Sequence, residues 1–180
     1  MRRRPVIAIS GPPGAGSTTL ANEVAKQLGL KTFSPGFIQK GLVAGKNQSE
    51  ASIKAWQTRR CKSKTFHKHL DKEQIELAKK GGIVICGKLS VHFLKDIADL
   101  TVWLDVPLSV RARRTAKRDG ISYAKAYESI KRRQEIERAE WQRMYGFDYF
   151  KQKDEADLVL DTSGMTARQA AKKIIDRLND

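Results

Sequence analysis

Apolar positions along the chain fall into short solid runs and longer stripes spaced by three and four. "PVIAIS" (5–10) is a compact apolar run ending at glycines, the pattern of a buried strand. From Thr18 onward, Leu20, Val24 and Leu28 mark one face of a helix, and Gly29 stops it. "KTFS" (31–34) is a candidate second strand, and residues 36–80 read as helical with breaks around "AGKNQS". "GGIVICG" (81–87) predicts a buried strand between glycines, and "LTVWLD" (100–105) predicts another. Pro107 opens a helix at an early position, where its missing N–H is no loss. Asp119 and Gly120 form a turn, and Ser122 caps a long charged helix to about Arg143. "ADLVLD" (156–161) is the last strand. Thr166 with Gln169 three residues on fits a capping box. Ala167, Ala171, Ile174 and Leu178 then give the final helix its apolar face. Short apolar strands alternating with helices predict an α/β fold, layered around a parallel sheet.

A chain of 180 residues is long enough for one domain, 1–180, with a real core. Internal repeats, low-complexity blocks and interdomain linkers are not evident. Lysine and arginine number 35 against 20 acids, a net charge of +15. Such an excess points to polyanions (nucleotides, RNA, DNA or an anionic surface) or to a solvated cationic surface. Cys61 and Cys86 lack CxxC spacing, which speaks against a disulfide scaffold or zinc site and fits a reducing cytoplasm. The apolar run in "MRRRPVIAIS" is too short for a signal peptide, and no stretch is apolar for long enough to span a membrane. The expectation is a cytoplasmic protein, monomeric and without membrane contact.

"GPPGAGST" (11–18) fits G-x-x-x-x-G-K-[ST] at every position but one. Gly11, Gly14 and Gly16 let successive backbone N–H groups turn toward one anion, and Ala15 lies among them. The helix that follows adds its positive N-terminus. Thr18 stands where a Mg²⁺-binding hydroxyl belongs, and Thr19 offers a second hydroxyl nearby. Ser17 occupies the lysine position. Serine keeps a donor but brings no charge, and a charge-assisted hydrogen bond contributes roughly 1.5–3 kcal/mol. Binding can survive this change while transfer slows, unless another cation reaches the same oxygens.

Arg111, Arg114 and Arg118 share a helix face by spacing, and "IKRRQEIERAEWQRMYGFD" adds Arg132, Arg133, Arg138 and Arg143. Arginine forks suit phosphate oxygens. The plainer alternative is a surface helix whose arginines pair with Glu135, Glu137 and Glu140. Residues 51–70 contain no acid and interleave six cations with Trp56, Phe66, His67 and His69. Such a segment could grip a nucleotide or an RNA strand, or its aromatics could be core. His67 and His69 lack the helical spacing of a metal-ligand pair.

Over nearly its whole length the chain resembles the short archaeal-type cytidylate kinases, among the P-loop nucleoside monophosphate kinases. "ISGPPGAG", "LDKEQIELAKKGGIVICGKL", "ADLTVWLDVPLSVRARR", "RDGISYAKAYESIKRRQ", "MYGFDYF" and "ADLVLDTS" carry the resemblance. It implies a three-layer α/β/α P-loop fold on a five-stranded parallel sheet. It also implies a monophosphate-binding segment near 34–70 and a helical lid near 120–146. ATP and Mg²⁺ would be the donor and its metal. Lys40, His67, Lys88 and Arg111 would face the acceptor, and Arg114, Arg132, Arg133 and Lys88 would act on the transferring phosphoryl. The departures cluster in that site. Ser17 replaces the loop lysine, Phe37 and Cys86 stand where acids are expected, His67 stands for an aspartate, and Lys40 and Lys88 stand for arginines.

Three readings follow. One is a kinase acting on CMP or a related nucleoside monophosphate. Another is a kinase-derived protein that binds nucleotide or RNA without transferring phosphate. The last is a kinase with a different acceptor, such as an RNA or a small metabolite.

Overall fold

The computed structural model describes residues 4–180. Five strands, β1 (Val6–Ser10), β2 (Lys31–Phe33), β3 (Ile83–Cys86), β4 (Leu100–Leu104) and β5 (Leu158–Leu160), form one sheet in the order β2-β3-β1-β4-β5. Every pairing is parallel. The five segments predicted as strands, the polar KTFS candidate among them, are the five strands. β1, β3 and β4 are buried at every residue, as central strands covered on both faces must be.

The helices are α1 (Ser17–Leu28), α2 (Pro35–Lys40), α3 (Gln48–Gln57), α4 (Lys64–Lys80), α5 (Ser90–Leu94), α6 (Leu108–Asp119), α7 (Tyr123–Tyr145), α8 (Gln152–Glu155) and α9 (Ala167–Asn179). Ile7 and Ile9 of β1 point to one face, where Leu20 and Val24 of α1 and Ala170 and Ile174 of α9 cover them. Val6 and Ala8 point to the other, under Ala78 of α4 and Leu94 of α5. This two-residue alternation gives three layers, α/β/α. A third cluster joins Trp103 of β4 to Trp56 of α3, Trp141 and Met144 of α7, and Tyr149.

Local signals set the helix ends. Ser122 accepts from Lys125 N–H at the start of α7, and Thr166 and Gln169 close the expected capping box. Gly29 and Gly120 end their helices with φ of 63° and 65°. Pro107 lies just ahead of the first turn of α6, as its N-cap. The span 36–80 contains a second break, at 58–63, as well as the expected one. α5 and α8 are too short to show a helical stripe in the sequence.

Candidate active site

The glycine loop leaves β1 at the centre of the sheet and enters α1. Gly14 and Gly16 have φ of 80° and 95°, a region that side-chain-bearing residues avoid. A Cβ on Gly14 would also stand 2.7 Å from Ile130 Cδ1 of α7, so the loop packs directly under that helix. The first intrahelical bond of α1 is Leu20 N–H to Gly16 O. The N–H groups of Ser17, Thr18 and Thr19 therefore have no intrahelical partner. No side chain caps them.

Three cations hold the loop by alternate carbonyls. Lys88 Nζ donates to Gly11 O at 2.8 Å, Arg111 Nη1 to Pro13 O at 2.9 Å, and Arg114 Nη1 to Ala15 O at 3.0 Å. Arg111 is buried, and its other donors go to Val106 O and Gln134 Oε1, each at 2.9 Å. Arg114 also ties the loop to Thr162, just past β5.

Two cavities meet at this loop. The larger, about 560 Å³, runs from the loop and α1 to the turn before α9, where Leu20, Met165, Ala167 and Ala170 line it. Its volume suits a nucleotide-sized ligand. The smaller, about 70 Å³, lies toward α2 and α3 and is lined by Ser34, Gln39, Trp56 and Cys86 among others. Ser17, Thr18, Lys40, Lys88 and Arg133 line both cavities. The shared wall thus carries three cations and two hydroxyls.

Burial at this wall sets the charges. Burial, with Arg133 and Arg118 nearby, lowers the affinity of Lys40 for its proton. Burial, opposed by Glu137 and assisted by Arg133 and Arg111, brings Lys88 down to about 7. Glu137 is buried too, yet Arg133 and Lys88 outweigh the desolvation and hold its carboxyl below the usual range. Burial pushes the Cys86 thiol up, against hydrogen bonds with Ser34 and Thr18, so it stays neutral. Gln39 Nε2 is buried in this region without a partner.

Other sequence-predicted residues lie elsewhere. Arg111 and His67 line neither cavity. His67 is 3% exposed, stacked on Trp56 with ring centroids 5.3 Å apart, and its Nε2 meets Cys61 O at 2.6 Å. It is a core residue in this structure, and Arg111 is a brace for the loop. Arg132 is exposed and outside both cavities. Arg138 pairs with Asp148, and Arg143 with Glu140. Phe37 is 71% exposed and faces neither cavity. In the 51–70 segment Trp56 is buried and lines the smaller cavity, and Phe66 packs against the same aromatic cluster. Gln39, Gln48 and Thr162 also line the cavities and carry no motif of their own. Gln39 and Gln48 fall within the expected 34–70 monophosphate-binding segment, whereas Thr162 is placed only by the fold.

Among the described residues no cluster of His, Cys, Asp or Glu could by itself hold a metal ion. Glu137 lines the smaller cavity, but its carboxylate is ion-paired with both Arg133 and Lys88. Mg²⁺ is commonly held by one or two carboxylates together with substrate phosphates. The residues fit an ion that arrives with a nucleotide and takes the Thr18 hydroxyl as its protein ligand. No helix of the described residues is long and apolar enough to cross a membrane.

Comparison with known proteins agrees with this geometry. Residues 6–164 match the model of the cytidylate kinase-like family. The cytidylate kinase of Pyrococcus horikoshii is 37% identical over 158 residues, covering 88% of this chain and 80% of that one. The cytidylate kinase of Sulfurisphaera tokodaii is 35% identical over 177 residues, covering 97% and 95%. Among solved structures, a shikimate kinase from Aquifex aeolicus superimposes with a TM-score of 0.61 at 16% identity, over 97% of this chain and 96% of that one. A shikimate kinase from Acinetobacter baumannii in complex with shikimate gives 0.58 at 18% identity, over 96% and 92%. The two structures speak for the fold alone. On its match along residues 6–164 and the identity of its relatives, the chain belongs to the cytidylate kinase-like family, and with it to the nucleoside monophosphate kinases.

Proposed function

We propose that this protein transfers the γ-phosphoryl group of ATP to a nucleoside monophosphate, with CMP the expected acceptor. The observation that carries this is the wall shared by the two cavities, where Lys40, Lys88 and Arg133 meet Thr18. A phosphoryl group crossing from donor to acceptor would pass there. The donor's phosphates would lie against the loop and the open N–H groups of α1, with its base toward Leu20, Met165 and Ala170. Mg²⁺, held by Thr18 and the donor phosphates, would supply charge neutralisation. In the step itself an acceptor phosphate oxygen bonds to the γ-phosphorus as the β–γ bridging bond breaks. The bridging oxygen leaves with its electron pair on the nucleoside diphosphate, and no proton need move. Positioning and positive charge are then the main protein contributions.

The acceptor cavity of about 70 Å³ is too small for a nucleoside. The segment around α2 must therefore swing outward to admit one. α2 buries none of its residues, so that displacement uncovers little apolar core. A coupled assay with ATP, Mg²⁺ and each nucleoside monophosphate tests the reading, and turnover with CMP above the other acceptors is expected. Tight ATP binding with no turnover on any acceptor would replace it with the binding-only reading, which the serine at position 17 and the neutral thiol of Cys86 favour.

A further inference from the structure

We propose that Lys88 supplies the ammonium that a phosphate loop ordinarily carries at position 17, delivering it to the donor's transferring phosphoryl from the adjacent strand. This rests on the phosphoryl-transfer reading and assigns one residue within it. Topology accounts for the reach. β1 and β3 are parallel neighbours with Ile9 opposite Cys86. Two residues further along both chains, Gly11 and Lys88 stand level, and Lys88 Nζ donates to Gly11 O at 2.8 Å. The ammonium thus lies inside the loop that would hold the β- and γ-phosphates.

Its other contact is an ion pair: Glu137 Oε2 lies 3.6 Å away, too far for a hydrogen bond, and makes no hydrogen bond elsewhere. Glu137 is fixed by Arg133 Nε at 2.7 Å, and the Lys88 carbonyl by Gln152 Nε2 at 2.7 Å. Of three ammonium donors, one is spent on a neutral carbonyl, which an anionic phosphate oxygen would outcompete. Lys40 is the rival cation. It bonds Gln48 Oε1 at 3.3 Å and rides on α2, the segment that must move when an acceptor enters. Lys88 lies in the turn two residues past β3, a buried strand between β2 and β1, and its backbone is tied to Gln152. The groups facing it are Glu137 and Arg133 of α7 and Arg111 of α6, and burial among them lowers its proton affinity to about 7. A polyphosphate beside it reverses that shift, so donor binding at pH 8 draws in a proton.

The test is a cycle of Lys88→Met, Ser17→Lys and the double variant, each checked by thermal unfolding, with kcat measured on the best acceptor. Lys88→Met is expected to lower kcat by about a hundredfold or more. Ser17→Lys in that background is expected to recover kcat at least about tenfold, a larger fold-gain than the same substitution gives in wild type. A double variant no better than Lys88→Met overturns the assignment. So does a hundredfold gain from Ser17→Lys alone, an outcome readable even if Lys88→Met fails to fold. Calorimetry of ATP binding at pH 8, in buffers of different ionisation enthalpy, gives a readout independent of turnover. Wild type should take up a proton, and Lys88→Met and Lys88→Arg should not, with Lys88→Arg keeping its ATP affinity. If no acceptor is phosphorylated, the transfer reading alone fails. Equal proton uptake and equal ATP affinity in wild type and Lys88→Met would overturn the Lys88 contact itself.

Discussion

Helices α6 and α7 are both rich in arginine, and they use it in opposite ways. α6 carries Arg111, Arg113, Arg114 and Arg118, with Asp119 as its one acid. With no carboxylate one turn away, Arg111 and Arg114 reach out of the helix to loop carbonyls at Pro13 and Ala15. α7 carries glutamates at 128, 135, 137 and 140. Arg133 and Arg143 meet Glu137 and Glu140 on the same helix, and Arg138 meets Asp148. An arginine's task here follows less from its own position than from whether an acid one turn away claims it first. Arg133 belongs to both cases, since the glutamate it holds also faces Lys88.

Substitutions can break this contrast. The largest effect is expected at Arg111, whose buried guanidinium makes three hydrogen bonds. Arg111→Met should lower the unfolding free energy by about 3 kcal/mol, on the order of 10 °C in Tm. Chemical denaturation measures this, and a loss below about 1 kcal/mol would place Arg111 with the surface arginines. Next comes Arg114→Ala, which removes a loop brace and a cation lining the donor cavity. ATP affinity should fall by about tenfold, equivalent to about 1.4 kcal/mol, as titration calorimetry would register.

A third prediction concerns the far end of α7, where Tyr145 donates to Asp71 of α4. Burial raises the Asp71 carboxyl from 3.8 to about 6, against bonds from Tyr145 and Gln74. The folded chain therefore holds a proton that the unfolded chain has released between those values. Stability falls as pH rises through that window, and the loss is complete above it. Asp71→Asn cannot ionise. It should gain on the order of 1 kcal/mol at pH 8 relative to wild type, part of the carboxyl being open to water, and nothing at pH 3.5. Equal differences at both pH values would refute the assignment. The smallest effects belong to Arg138→Ala and Arg143→Ala, each within about 0.5 kcal/mol of wild type because exposed pairs contribute little. A cost above 2 kcal/mol for either would erase the distinction between the helices.

The strands were readable because central strands must be apolar on both faces, and the glycine loop because its spacing is tied to backbone geometry. The aromatic site residues were harder. His67, Leu70, Gln74 and Ala78 form the buried stripe of α4 at spacings of three and four. Two of the four are polar, so an apolar count passes over them, and His67 reads as a ligand when it is packing. Arg111 has the same difficulty, buried beside Ala112 and Thr115 on a helix with little apolar face. Lys88 near the glycine loop is invisible in linear spacing, since 77 residues separate it from Gly11. It becomes legible only once β3 is known to lie beside β1.

That adjacency bears on how such chains are recognised. If Lys88 acts as proposed, positions 17 and 88 serve one phosphate site from the loop's own helix and from just past the neighbouring strand, and a serine at 17 does not leave that site without a cation. Genome surveys that demand lysine inside the loop string would discard such chains as dead copies. A filter built on strand neighbours, asking for a basic residue at either address, would keep them.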